Sequence, residues 1–533
     1  MTIRTVLLQL FLTLGMPIAL SAQNVIPDPA FGDAGSVNIQ TSGFLFSGYH
    51  HLMPDGRIVF VGTVNDPGSD ATDVYVARLL TDGTFDPSFG GGNGFVRVAG
   101  PVDKANDLYA NAVDGNGKVI LAINEYDFDV DRTRFVRLNA DGTPDNTFGV
   151  AGEAIIDIAA GDLEEYMTDV VVLPDGKLFF GGYVGTAFDV YVSHFVRLNN
   201  DGSLDNTYDN DGKFSMPVLG ILDGAALALD LLPDNKIAVA GLGANAGGNA
   251  IPYIARLGVD GKPDPSFGTN GRRVFSNLPL EVNYLYDIAV QNNGQWLVGG
   301  SSLAGGAEYN ENLLLFRFNS DGSLDQGFAG TGYFEHDQGA FESILKVAAT
   351  ADNRPLIAGY TSVEDVAAQP LSSLYFLGRL TGDGISDPDF NGGFVTSDTL
   401  IEAAAFSVSI QNDGKMLLSG YTFDGEERSF FVNRYAQISG LNKLRPVLEA
   451  VMLFPNPAAD HTNLRFTLEK STVFGVQLVN AEGKSITALT PFRTWTAGEH
   501  QIRFGLPAGL PTGNYRIVVQ GNEGVHSIPV TIR

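Results

Sequence analysis

The sequence predicts an all-β chain: a seven-bladed β-propeller built from repeats of about 60 residues, followed by a small immunoglobulin-like β-sandwich. Three observations predict it. First, one turn is written six times: RLLTDGTFDPSFG from Arg78, RLNADGTPDNTFG from Arg137, RLNNDGSLDNTYD from Arg197, RLGVDGKPDPSFG from Arg256, RFNSDGSLDQGFA from Arg317 and RLTGDGISDPDFN from Arg379. The Asp of its Asp-Gly pair falls at 82, 141, 201, 260, 321 and 383, so the period holds at 59–62 residues. Second, another signature keeps the same period. MPDGRIVFVG from Met53, LPDGKLFFGG from Leu173, LPDNKIAVAG from Leu232 and QNNGQWLVGG from Gln291 are joined by looser copies from Asp114, Ala351 and Gln411, seven in all. Third, 64 Gly and 35 Phe accompany short apolar runs and tight turns, with no long helical period beyond the first two dozen residues.

Each repeat parses into four strands. In one unit they are EAIIDIA from Glu153, MTDVVVL from Met167, KLFFGGYV from Lys177 and YVSHFVRL from Tyr191. Blades packed on both faces need strands apolar on both sides. The fourth strands comply: Val76, Phe135, Phe195, Ile254, Leu315, Leu377 and Val432 on one face, and Leu79, Leu138, Leu198, Leu257, Phe318, Leu380 and Tyr435 on the other. A ring also accounts for two half-motifs. DPAFG at 28–32 is the back half of the turn and NRYA at 433–436 the front half, so Arg434 and Asp28 are expected as neighbours across the closure. An open solenoid is the alternative.

Within the turn, Asp-Gly suits a tight bend. The second Asp (86, 145, 205, 264, 325, 387) is expected to accept backbone N–H groups or pair with the recurrent Arg, and the Phe (Tyr208 in one copy) to plug between blades. Gly35, Gly94, Gly152, Gly212, Gly271, Gly332 and Gly393 then admit close backbone approach. No cofactor is expected. The rival reading is calcium at Asp205, Asp209 and Asp211 in DNTYDNDG, although the full EF-hand pattern is not met.

Residues 1–22 read as a signal peptide: Arg4, an apolar run from Val6 to Leu20, then Ser21 and Ala22. No second hydrophobic stretch reaches spanning length, so the mature chain is expected to be soluble, without a transmembrane segment, and exported. There is no cysteine, which removes disulfides, a lipoprotein anchor, thiol catalysis and Cys-ligated zinc. The net charge of −28 falls almost wholly between residues 23 and 450 and argues against nucleic-acid or anionic-lipid partners.

The pattern RLxxDGxxDxxFG with its PDGK partner resembles the delta-60 family of bacterial repeats over residues 28–436. That resemblance implies a large exported bacterial protein of propeller-like architecture and brings no catalytic residues. After the propeller (24–436) and a linker (437–450), residues 451–533 read as a small β-sandwich. They resemble the C-terminal sorting domain of cargo for the type IX secretion system of Bacteroidota. The matching residues are Pro455, Asn456 and Pro457 of FPNP, Gly483 in a turn, and Gly513 and Tyr515 of GNY. The family often ends in a Lys-rich strand, whereas this chain ends IPVTIR. The resemblance implies the type IX machinery as partner and an extracellular or outer-membrane-surface destination. An ordinary accessory module is the alternative.

A catalytic site on near-identical blades should show where the repeat breaks. His50-His51 is the leading break, because aligned strands carry Val170-Val171 and Val347-Ala348 there; a general base or metal ligand is one reading, a partly exposed strand the other. His194, His336 with Glu335 and Asp337, and Glu164-Glu165 in an expected loop complete the candidates. No residue is assigned as catalytic, and no GxSxG, HExxH or phosphate-binding loop stands in a convincing context; the Gly-Gly pairs are read as strand turns. Three functions remain: a surface or secreted module binding a glycan or surface protein, a scaffold with no unique patch, and a glycan-active enzyme with non-repeating polar residues at the channel.

Overall fold

The computed structural model describes residues 25–437 and 449–533, apart from 42–43, 66–71, 101–104, 128–129, 159–163, 188–189, 218–222, 246–247, 304–310, 338–340, 364–371, 398–401, 426–427, 469–470, 481–484, 508 and 522–523. The expected signal peptide, most of the linker, and Gly483 lie outside the described residues. Val25–Ser439 forms one compact unit and Gly440–Arg533 belongs to a second. Among the described residues the helical content is two 3₁₀ turns, Gly90–Gly92 and Asn391–Gly393.

The larger unit is a β-propeller of antiparallel sheets that follow one another along the chain. The first sheet is Phe44–Leu52, Ile58–Asn65, Thr72–Leu79 and Phe95–Val98. The next five repeat it, with innermost strands Ala105–Val113, Glu165–Val172, Asp223–Leu231, Glu281–Val290 and Glu342–Ala349. The last sheet is Glu402–Ile410, Met416–Phe423 and Arg428–Gln437, completed by Val25–Pro27 and Ser36–Gln40 from the other end of the unit. From Ala105–Val113 onward successive innermost strands lie side by side, Glu402–Ile410 lies against both Glu342–Ala349 and Phe44–Leu52, and Ala105–Val113 lies against Ile58–Asn65 and Thr72–Leu79 of the first sheet. The ring is therefore closed. The face-to-face packing expected of the fourth strands holds: Val76, Phe195, Leu315 and Val432 on one face and Leu79, Leu198 and Leu257 on the other are completely buried.

The parse of the repeat needs one correction. The short strand after each Phe-Gly is not the first strand of a blade; it is the outermost strand of the preceding sheet. Glu153–Ile156 pairs with Val130–Leu138, and Tyr333–His336 pairs with Glu311–Phe318, so His336 lies at an outer edge. Periodicity alone cannot tell where a repeating unit starts. The Gly-Gly pairs at 181–182 and 299–300 are not in turns either. They sit mid-strand opposite a bulge in the innermost strand, where a Cβ on Gly182 would fall 1.8 Å from the Tyr166 carbonyl.

The turn builds the ring. In all seven places an Arg Nε meets the second Asp: 2.8 Å in Arg78–Asp86, 2.6 Å in Arg137–Asp145, 2.7 Å in Arg197–Asp205, and 2.8 Å in the closing pair Arg434–Asp28. Each guanidinium also covers the ring that follows, from 4.4 Å for Arg317 over Phe328 to 5.0 Å for Arg78 over Phe89. The basic residue of the PDGK signature reaches the same carboxylate, as Lys118 does to Asp145 at 2.7 Å and Lys177 to Asp205 at 2.8 Å. In the fifth sheet Gln295 replaces it and donates to Asp325 at 2.8 Å. The two interleaved signatures are thus two arms on one carboxylate, while its other oxygen caps the N–H two residues on.

Blade joins blade through the ring of the Phe. Phe267 lies against the Asp-Gly turn of the next repeat, whose Gly322 has φ +81° and no room for a Cβ, since one would sit 2.4 Å from the Phe267 ring. The backbone N–H after the aromatic residue donates to the carbonyl of that next Asp, as Gly149 does to Asp201 at 2.7 Å and Gly32 to Asp82 at 2.8 Å.

The second unit has a three-stranded sheet, Glu449–Phe454, His461–Leu468 and Gly498–Gly505, and a four-stranded one, Ser485–Trp495, Thr472–Val479, Gly513–Gly521 and Gly524–Ile532. Leu464 and Phe466 of the first share one core with Phe474, Leu478, Ile517 and Val519 of the second.

Candidate functional site

The innermost strands enclose a cavity of about 750 Å³, to which all seven sheets contribute. Six of these strands carry a one-residue bulge at a common register, at Tyr109, Thr168, Leu227, Tyr286, Leu345 and Phe406, and each of these residues lines the cavity; the first sheet's strand shifts earlier, between Leu45 and Ser47. A bulge re-aims a side chain that regular pleating would send into a blade face. The strand position just after the bulge reads Ala110, Asp169, Ala228, Asp287, Lys346 and Ser407, with Tyr49 as its counterpart in the first sheet. Here the blades stop being alike.

The acids of this belt clasp neighbouring blades. Asp169 Oδ2 accepts the Leu229 N–H at 2.7 Å, Asp287 Oδ2 that of Val347 at 2.8 Å, and nearby Asp230 Oδ2 that of Val290 at 2.7 Å. Burial pushes the carboxyls of Asp169 and Asp230 up to about 6 and raises Asp287 as well. Lys346 reaches Asp287 Oδ1 with Nζ at 2.7 Å while 36% of its side chain stays accessible in the cavity. Burial alone would lower its pKa, but Asp287, Asp169 and Asp230 outweigh that and raise it, so Lys346 is a fixed cation.

His50 and His51 also line the cavity. His50 is buried, its Nδ1 2.8 Å from Ser419 Oγ and its Nε2 2.7 Å from Ser409 Oγ, which uses both ring nitrogens. His51 Nε2 donates to Asn111 Oδ1 at 2.5 Å. Burial, then the neighbouring His51 and Lys346, takes His50 down to about 3. Burial and Lys346 take His51 to about 4 against the pull of Asn111. Both imidazoles are neutral at physiological pH. The strand is partly exposed to the cavity, with His50 buried and Tyr49, His51 and Leu52 half-buried.

The other sequence candidates do not join this cavity. His194 bonds Ser215 Oγ at 2.9 Å within the third sheet, and His336 stacks on Phe394 at 5.3 Å. Glu165 is not in a loop: it begins the strand Glu165–Val172, is fully buried, and accepts the Ile158 N–H at 2.7 Å. The carboxylates of the calcium reading are engaged elsewhere. Asp205 holds Arg197 and Lys177, Asp209 pairs with Lys262 at 2.7 Å, and Asp211 caps the Lys213 N–H at 3.0 Å. Among the described residues no cluster of three His, Asp or Glu has metal-binding geometry.

In the second unit the described residues that carry the sorting-domain resemblance meet the last strand. Asn456 donates Nδ2–H to the Pro529 carbonyl at 3.1 Å and accepts the Thr531 N–H at 2.9 Å. Pro455 and Pro457, which flank it, both follow cis peptide bonds. Gly513 and Tyr515 pair with Ile532 and Val530, and the Tyr515 hydroxyl donates to the Pro511 carbonyl at 3.0 Å.

These charges set opposite pH trends. Burial raises the Asp86 carboxyl, but hydrogen bonds from Ser88 and Arg57 and the Arg78 charge outweigh it and hold it near about 2; Asp145 and Asp205 are depressed too. A depressed carboxylate contributes stability above its unfolded value of about 4, and that stability is lost as pH falls through the folded value. Asp169 and Asp230 act in the opposite sense, since the folded state holds their protons up to about pH 6. The buried imidazoles of His50, His51 and His194, held down to about 3, 4 and 4, oppose these carboxyls, because the unfolded chain takes up their protons below about pH 6.5, and three such groups outweigh the two carboxyls. The melting temperature is therefore expected to fall from pH 7 downward, most steeply below about 4. A scan that rises between pH 7 and 5 would contradict this.

Five segments, 54–89, 115–148, 173–208, 232–267 and 291–328, match a family model described as "Domain of unknown function (DUF5122) beta-propeller". The repeats are β-propeller repeats. No curated protein matches the chain. Among solved structures it is similar to a Trypanosoma rangeli sialidase, at 10% identity and TM-score 0.39, over 95% of this chain and 90% of that one. It is similar to a Penicillium chrysogenum α-L-arabinanase at 10% identity and TM-score 0.36, over 76% of this chain and 98% of that one. For a Pyrococcus horikoshii acylaminoacyl peptidase the values are 10% and 0.36, over 80% of this chain and 59% of the peptidase's length. At these scores the likeness brings no function with it.

The sequence singled out His50-His51 but missed Asp169, Asp230, Asp287, Lys346 and the tyrosines. Their signal was present, since each breaks the repeat at its register. It emerges only once the bulge shows which register faces the channel.

Proposed function

We propose that this chain is an exported seven-bladed propeller that binds a partner, a glycan or a surface protein, at its central channel, and that residues 451–533 are an immunoglobulin-like domain directing it through type IX secretion to the cell surface or medium. The observation that carries the binding reading is the convergence of unlike polar residues, His51, Asn111, Asp169, Asp287 and Lys346, in one cavity of an otherwise repeating ring. A pure scaffold has no use for that difference. The FPNP and GNY residues that meet the last strand support the export reading, as do the features of residues 1–22. The enzyme reading rests on the same cavity. It is weaker, because the carboxylates are held by backbone N–H groups and both His50 nitrogens are occupied by serines. The proposal includes no metal cofactor.

Two experiments test it. Deleting 451–533 is expected to hold the chain in the periplasm, and unchanged export sinks the sorting role. Screening the purified protein on glycan and surface-protein arrays, with calcium and with chelator, is expected to give a hit that Leu227→Trp weakens by filling the channel. Cleavage of the hit would promote the enzyme, and chelator sensitivity would overturn the metal-free reading.

A further inference from the structure

We propose that one mouth of the channel, at the starts of the innermost strands, binds a neutral oligosaccharide on its tyrosines. The inference rests on the channel-binding reading and names its ligand class. Two tyrosine groups flank this mouth. In the second and third sheets Tyr109, on the cavity wall, lies 5.3 Å from Tyr166, which lies 5.0 Å from Tyr183, itself 5.3 Å from Tyr191. This ladder ends at Glu164, whose carboxylate accepts the Tyr191 hydroxyl. In the fifth sheet Tyr286 lines the cavity at 38% exposure and Tyr284, 5.8 Å away, is 50% exposed. Beside them the Glu311 carboxylate accepts Asn283 Nδ2–H at 2.7 Å and the Ser343 hydroxyl at 3.4 Å. The opposite ends of these strands run into the PDG-type turns, which have no such grouping.

The chemistry selects the ligand. Half-exposed tyrosine rings offer apolar faces with a polar tip, suited to the C–H face of a sugar ring. The carboxylates and amides beside them accept and donate to hydroxyls. Glu164 and Glu311 disfavour an anionic polymer. A protein partner is the poorer match, because interface cores shed charged residues, whereas here a carboxylate stands beside each tyrosine group. The cavity below lies within the range of small-ligand sites.

The test is affinity electrophoresis and calorimetry of the purified protein with laminarin, xylan and galactomannan, and with alginate as the anionic control. Binding to at least one neutral polymer but not to alginate is expected. Tyr284→Ala and Tyr166→Ala should each weaken it about tenfold without lowering the melting point, while Tyr284→Phe keeps most of it. Binding of alginate alone, no neutral polymer bound, or alanine variants that bind as well as the parent would each overturn the inference. A protein ligand that is lost in Leu227→Trp but insensitive to the tyrosine changes would sink the oligosaccharide and leave the channel reading standing.

Discussion

Arg137→Ala is expected to destabilise the propeller by about 3–5 kcal/mol, whereas Lys118→Ala costs about 1 kcal/mol or less, although both cations touch the same oxygen of Asp145. The difference lies in burial and in what each group does besides neutralising charge. Arg137 is 6% exposed and its Nε sits 2.6 Å from Asp145 Oδ2; its Nη2 donates to Thr147 Oγ1 at 3.2 Å, and its plane lies 4.6 Å from the Phe148 ring centre. Removing it leaves a carboxylate that is 2% exposed with the part-exposed Lys118 as its one remaining cation and an unfilled space beside its ring. The Lys118 side chain is 29% exposed, and water replaces its contact when it is lost. Arg137→Lys restores the charge but not the planar fork, so it should recover only part of the loss. Urea denaturation of the three variants checks the order. Equal costs for Arg137→Ala and Lys118→Ala would falsify the view that the buried pair, and not charge balance at the turn, holds the repeat together.

The same residues show what was legible in the sequence. The pairing of Arg with the second Asp, the buried aromatic, and the meeting of Arg434 with Asp28 all follow from patterns repeated often enough to average out local noise. A feature present in every blade serves the blade, and repetition reveals it. The channel obeys the opposite logic. Lys346 is informative because it occurs once at a register whose other members differ, and a single Lys among unlike residues carries no pattern. The bulges hid the register as well: one inserted residue moves every following side chain to the other face, so alternation counted along Glu281–Val290 changes phase at Asn283 and again at Tyr286. The tyrosine ladder was illegible for a further reason. Tyr109, Tyr166, Tyr183 and Tyr191 come from four strands of two sheets, and only their packing brings the rings together.

Removing residues 25–40 is expected to prevent the propeller from forming a stable monomer. The segment supplies the strands Val25–Pro27 and Ser36–Gln40, both hydrogen-bonded to Arg428–Gln437. It also supplies Val25, Ile26, Phe31, Val37 and Ile39 to the core. Burying five such side chains is worth about 1.5–3 kcal/mol each, which already rivals the total stability of a domain, about 5–15 kcal/mol. The deletion takes away Asp28 as well, leaving Arg434, 5% exposed, without the carboxylate 2.8 Å from its Nε. What remains has an open edge along Arg428–Gln437 and a bare aromatic face, the conditions under which strands pair between molecules. Size-exclusion chromatography should therefore find aggregates or oligomers, and limited proteolysis should find cleavage within the seventh sheet. A synthetic peptide of residues 23–41, added during refolding, should restore protection, because closure is non-covalent. A truncated chain that stays monomeric with the parent melting temperature would show that the ring does not depend on its clasp. The geometry also bears on processing: cleavage after residue 22 spares the clasp, whereas a cut a dozen residues later removes Val25–Pro27 and Phe31. Closure joins groups 406 residues apart, so it must wait until nearly the whole propeller has been made.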